Sequence, residues 1–123
     1  MRILLLSLCL VTASCGGGGT SPTPTPSNPF TFTITAAGVS PKEFTVPAGS
    51  RVLFLNSDSR PHDMASDPHP EHNAEGCEGI NVVGGLSPGQ SHETGNMNTV
   101  KTCGFHDHGN PENTTLQGRI IVR

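Results

Sequence analysis

Apolar and polar residues alternate from Phe30 to Thr35, with Phe30, Phe32 and Ile34 taking turns with Thr31, Thr33 and Thr35. On an extended chain a period of two puts the apolar side chains on one face, so this segment predicts a half-buried β-strand. Glu43-Phe-Thr-Val46 predicts a short second strand, and Pro47-Ala-Gly-Ser50 a turn. Arg51-Val-Leu-Phe-Leu-Asn56 is apolar almost throughout, which predicts a strand covered on both sides and central in its sheet. From 56 to 85 the chain is polar and rich in glycine and proline, with no period, and predicts a long loop. Leu86-Ser-Pro-Gly-Gln90 predicts another turn, and Ser91–Thr94, Thr99–Phe105 and Gly118–Val122 the remaining strands. No stretch reads as a full helix. The sum is an all-β domain, a small β-sandwich.

Composition narrows this picture. Fifteen glycines and 11 prolines among 123 residues imply many turns and an unstructured part, and there is no Trp or Tyr. So small a core calls for a staple such as a disulfide or a metal. The net charge of −3 and the absence of a basic patch exclude nucleic acid as a partner, and the domain is expected to be a monomer. There is no Gly-x-Ser-x-Gly, no phosphate loop and no pair of carboxylates with a positioned base, so no catalytic residue is assigned and the protein is not expected to be an enzyme.

The first residues do not belong to the sandwich. Met1-Arg2 is a basic start, and Ile3–Val11 is an apolar run too short to span a membrane. Val11-Thr-Ala-Ser-Cys15 resembles the bacterial lipobox, which implies a lipoprotein signal peptide over 1–14 and lipidation of Cys15. The Gly/Thr/Pro-rich stretch 15–29 reads as an extended linker. The domain then runs from 30 to 123. The expected location is the cell envelope, on its periplasmic or extracellular face, held to the membrane by the N-terminal lipid.

The candidate chemistry lies late in the chain. All six histidines fall between His62 and His108, and Lys101–Pro111 brings Cys103, His106 and His108 together. His106 and His108 are two apart, so on a strand they share a face and form half of a copper or zinc site. His69 and His72 sit in an acidic, proline-rich loop that could equally be solvated. His92 reads as a strand-surface residue. Asp63 and Asp107 are placed to orient neighbouring imidazoles.

Phe44–Asn56, then Pro61-His62, then Pro88-Gly-Gln-Ser91, then a strand ending in a Cys/His-rich loop, then Gly118–Val122, resembles the cupredoxin family of plastocyanin and azurin over nearly all of 30–123. The resemblance implies a Greek-key β-sandwich, copper as cofactor, His62 as one ligand and a second ligand cluster around Cys103–Asn110. Two versions of the site stay open. In the first, Cys103 and His106 join His62 with Met64 or Met97 as axial ligand, which is blue copper. In the second, the family's aromatic-x-aromatic-aromatic-Cys register puts Asp107 at the thiolate position. Cys103 is then free to bond Cys77, the two cysteines left after Cys9 is removed with the signal and Cys15 is lipidated. That disulfide would pin the loop carrying His69 and His72 beside His106 and His108. Ser66-Asp-Pro-His-Pro-Glu-His72 and Phe105-His-Asp-His-Gly-Asn-Pro111 resemble a His-rich branch of cupredoxin-like exported proteins, which implies a histidine-dominated copper site.

The expected function is a copper-binding envelope lipoprotein that transfers electrons or handles copper, with a redox or copper-exchange protein as partner. Two alternatives remain. Gly104-Phe-His-Asp-His108 resembles a strand of copper/zinc superoxide dismutases, although only residues 109–123 follow it to supply further ligands. The other is a metal-free sandwich serving as an interaction module.

Overall fold

The computed structural model describes residues 16–19 and 27–123. The signal peptide and lipidated Cys15 expected from the sequence lie outside the described residues. Among those described, no helix is long and apolar enough to cross a membrane.

Among the described residues, nine strands form two sheets. β1 (Thr31–Thr35), β2 (Gly38–Ser40), β4 (Leu53–Asn56) and β7 (Ser91–Glu93) make one sheet in the order β2-β1-β4-β7. β3 (Glu43–Val46), β5 (His62–Ser66), β6 (Gly84–Leu86), β8 (Thr102–Asp107) and β9 (Gly118–Val122) make the other in the order β3-β9-β8-β5-β6. Both sheets are mixed, since β1 runs parallel to β4 and β3 parallel to β9. Such pairs need crossovers between the sheets, and the result is a Greek-key-like sandwich.

The period of two in β1 does what it predicts: Phe32 and Ile34 are fully buried and the threonines between them only partly. β4 is an inner strand, as its apolar run implies. Phe32 and Phe54 from the first sheet meet Phe105 of β8 with ring centroids 4.8 and 5.0 Å apart, both edge to face. Aromatic pairs favour that geometry. Gly118 of β9 faces Phe105, and a Cβ there would run into its ring and into the Lys42 carbonyl. These rings fix which way β8 is turned: Phe105 points between the sheets, so His106 points to the outer side.

The expected 56–85 loop contains β5, β6 and a 3-10 helix, Glu78–Val82. β5 was hidden because its buried positions include His62 and Ser66, so polarity masks the alternation. Its pairing with β8 and β6 comes from tertiary context. Asn56, fully buried at the end of β4, organises the approach to it. Its amide donates to the carbonyls of Arg60 (2.8 Å) and Leu86 (2.9 Å), and its oxygen accepts from the Asp58 N–H (2.9 Å).

Cys77 and Cys103 form a disulfide with Cα atoms 5.5 Å apart, across a sequence separation of 26. Both are buried. This settles the open choice at Cys103: its sulfur is committed to Cys77, which corrects the reading of it as a copper thiolate. Met64 and Met97 are likewise buried among core side chains.

Candidate metal centre

β8 and the segment after β5 build the site together. His106 comes from the outer face of β8, with His108 just beyond the strand end on the same side. Opposite, the chain leaving β5 at Ser66 folds over β8, held by the Asp67 N–H donating to the Gly104 carbonyl (3.0 Å). Pro68 and Pro70 interrupt any strand here, and the His72 N–H closes a turn onto the Pro68 carbonyl (2.7 Å). The disulfide ties the far end of this loop back to β8.

His69, His72, His106 and His108 converge, each offering one ring nitrogen, and the four nitrogens all lie within 4.8 Å of one another. The protein sets the tautomer of two of them. His72 Nδ1–H donates to the Ser66 carbonyl (2.8 Å), leaving the Nε2 lone pair free. The His72 carbonyl in turn accepts from the Asn81 amide (2.9 Å) and the Ser66 hydroxyl (3.2 Å). His72 is a non-glycine residue in the left-handed region, with φ of 51°. His106 Nδ1–H donates to Asp67 Oδ1 (2.6 Å), which turns its Nε2 into the cluster.

That Nε2 atom is buried and has no hydrogen-bond partner. An unpaired buried polar atom costs about 1–3 kcal/mol. His72 Nε2 and His108 Nδ1 are 2.8 Å apart. Two bare lone pairs repel at that distance unless a proton or a cation joins them. Ring nitrogens about 2.0–2.1 Å from one shared ion lie roughly 3 Å apart when adjacent. The orphaned Nε2 and the four-imidazole donor set therefore fit a borderline-soft divalent ion such as copper or zinc. His69 is held below the usual histidine range, first by loss of solvent around its ring and then by the charge His108, His106 and His72 carry when protonated; Glu112 opposes this. Its imidazole stays neutral, and able to ligate, further into acid.

His62 is not in this group. It lies inside the sandwich, 6% exposed, between two carboxylates. Its Nδ1 is 2.7 Å from Asp107 Oδ2 and its Nε2 is 3.0 Å from Asp58 Oδ2. Asp107 also accepts from the backbone N–H groups of Asp63 (3.2 Å) and Gly109 (3.0 Å). Both nitrogens of His62 are thus engaged, on the wall of a groove of about 620 Å³. Strand alternation separates the two sets: His106 and His108 lie on one face of β8, Asp107 on the other. Asp63 meets no imidazole, whereas Asp107 does orient one, that of His62. His92 donates from Nδ1 to the Val83 carbonyl (2.8 Å) and stands apart from the cluster on β7. Sequence reasoning missed Asp58 and Asp67. The position of Asp67 inside the Ser66–His72 motif was the available signal.

The hydrogen bond from His62 holds the Asp58 carboxyl below its ordinary 3.8, with Ser59 N–H and Arg60 adding to the effect against burial. A carboxyl lowered by folding stabilises the fold above its unfolded value, and that contribution fades as pH falls through the folded value. Asp58→Asn is expected to lose less stability than the native protein as pH falls below about 4, read as melting temperature against pH. Equal slopes would remove Asp58 from the acid response.

No family model and no curated protein sequence matches the chain. Solved structures do. Amicyanin from Paracoccus versutus superposes with a TM-score of 0.62 at 19% identity, covering 80% of this chain and 85% of that one. A purple cupredoxin from Nitrosopumilus maritimus gives 0.57 at 19% identity over 76% of this chain and 98% of its own. Oxidised plastocyanin from Dryopteris crassirhizoma gives 0.58 at 17% identity over 76% and 99%. At such identities the likeness is one of architecture, and it is consistent across these neighbours: the domain has a cupredoxin-like fold.

Proposed function

We propose that the protein binds copper(II) through His69, His72, His106 and His108 and handles copper at the cell envelope, by storing or delivering it. The observation that carries this is the buried, unpartnered His106 Nε2 facing three other imidazoles. Among divalent first-row ions, nitrogen sites favour copper most strongly. A cupredoxin-like frame supports the choice, because neighbours with this fold include an amicyanin described in its Cu(I) state. Among the described residues no sulfur joins the four imidazoles, which favours handling over blue-copper electron transfer. Cys103 is in a disulfide and Met64 and Met97 are core side chains. Copper held here would supply a redox-active ion without a thiolate to tune it. The chain's own residues fix the ligands: Ser66 and Asp67 set the tautomers of His72 and His106, and the disulfide closes the ligand loop. The apolar N-terminal run and its lipobox-like end support a lipid-anchored envelope protein, and a disulfide suits that oxidising compartment. A copper-exchange protein would be the partner.

Titration with Cu(II) followed by visible absorption and electron paramagnetic resonance tests the reading. One ion per chain, weak ligand-field absorption and several equivalent nitrogen couplings are expected. An intense thiolate charge-transfer band would mean that the disulfide had given way to blue copper, and no binding would leave the metal-free module.

His62→Ala separates this site from the ligand assignment that the family resemblance implies. It is expected to lower the melting temperature, because Asp58 and Asp107 lose the donor between them. Copper affinity should stay within about threefold, beneath the tenfold that 1.4 kcal/mol represents. Loss of binding with the fold intact would return His62 to the metal.

A further inference from the structure

Asp67 and Gly104 meet on the outer face of β8, two positions before His106. Asp67 is bound to the strand twice. Its N–H donates to the Gly104 carbonyl, and its Oδ1 accepts from His106 Nδ1 at 2.6 Å. The carboxylate is not buried by its neighbours, since its side chain is 54% exposed. What places it is the bare surface of Gly104. A Cβ on Gly104 would land on Asp67 Oδ2 and press on the rest of the carboxyl group. Gly104 lies in a regular strand, paired with Arg119 of β9, and has no positive φ. Nothing in its backbone calls for glycine, and alanine is ordinarily the better strand residue. The missing side chain is therefore a recess for the Asp67 carboxylate.

We propose that Asp67 and Gly104 form a single positioning unit for the metal site: the recess seats the carboxylate, the carboxylate holds Nδ1–H of His106, and His106 Nε2 is thereby turned toward His69, His72 and His108. This rests on the copper reading. His106 is the ligand for which it matters most. Its ring is 3% exposed by side chain, and without the Asp67 contact either ring nitrogen could face the cluster. Outer partners of this kind change metal affinity by about 10–100-fold when removed. The unit also explains why Asp67 belongs to the ligand loop, with His69 two residues on. One residue anchors the loop to β8 and sets the ring beneath it.

The test uses the full-length protein and four variants: Asp67→Ala, Asp67→Asn, Gly104→Ala and the Asp67→Ala/Gly104→Ala double variant. Cu(II) affinity is measured by chelator competition, nitrogen couplings by electron paramagnetic resonance, and the His106 tautomer in metal-free protein by nitrogen-15 NMR. Asp67→Ala and Gly104→Ala should each lose about 10–100-fold in affinity. The double variant should lose no more than either single one, as members of one unit do. Asp67→Asn, which keeps an acceptor oxygen, should recover most of the affinity and retain the Nδ1–H tautomer. Native affinity and couplings in Gly104→Ala, or additive losses in the double variant, would overturn the proposal. If Gly104→Ala does not fold, the contrast between Asp67→Ala and Asp67→Asn decides, and equal losses overturn it. If the native protein binds no copper, the copper reading fails by itself, and a His106 tautomer in metal-free protein that is the same in native, Asp67→Ala and Gly104→Ala overturns the positioning unit. The metal-free NMR signal then shows whether Asp67 still sets the ring, so the two failures are distinguishable.

Discussion

Replacing His106 by leucine is expected to reduce Cu(II) affinity by more than about a hundredfold, the upper range for removing an outer partner alone, while leaving the metal-free protein within about 1 kcal/mol of native stability. The two halves of this result have different causes. The ring supplies the most enclosed ligand atom, and no neighbour can take its place. In the metal-free protein the same atom is a burden, because Nε2 is buried without a partner. Leucine removes that unpaired atom and also the hydrogen bond to Asp67, and the two changes, about 1–3 kcal/mol each, oppose each other. Isothermal titration and denaturant unfolding measure the two quantities separately. A large loss of metal-free stability would make His106 a structural residue. Native copper affinity would take it out of the site.

Converting both Cys77 and Cys103 to serine is expected to cost about 3 kcal/mol of stability, for a closed loop of 26 residues. In a domain of this size that lowers the melting temperature by about 12–24 °C. Copper affinity should fall far less, by about tenfold, equivalent to 1.4 kcal/mol. The reason lies in what else holds the ligand loop. His72 keeps its bonds to Ser66 and Asn81, and Asp67 keeps its bonds to Gly104 and His106, whether or not the sulfurs are joined. The disulfide fastens the loop behind the ligands rather than the ligands themselves. Thermal unfolding and copper titration of the double variant give both numbers. A stability loss under about 1 kcal/mol would mean that the disulfide does little for the fold, and complete loss of copper would mean that the loop depends on it.

Much of the sandwich was legible because its strands are written in apolar residues. β1, β3, β4 and β9 could be read from alternation or continuous apolar runs, and β3 and β9 match to the residue. β5 and β6 were not legible, since glycine, histidine and serine carry no hydrophobic signal and pair only once β8 is in place. At the site, the i, i+2 spacing of His106 and His108 was sufficient to put them on one face, and the Ser66–His72 motif pointed to the other two. The motif before His62 speaks for a place in the fold, and in this structure that place holds an imidazole between carboxylates. That depended on Asp58, only four residues before it, and above all on Asp107, 45 residues further along the chain and brought to it by the pairing of β5 with β8. The role of Asp67 was hidden for the same reason: its partner is 39 residues away.

β8 carries two independent texts on its two sides. The residues that point inward, Cys103, Phe105 and Asp107, answer to packing, the disulfide and His62, while those that point outward, Gly104 and His106, together with His108 beyond them, answer to the metal site. Apart from the disulfide, which also fastens the ligand loop, the two sides make their contacts with different partners. The ligand set can therefore drift, toward softer donors or fewer of them, without reopening the core, and descendants of one scaffold could come to prefer different metals while remaining equally stable.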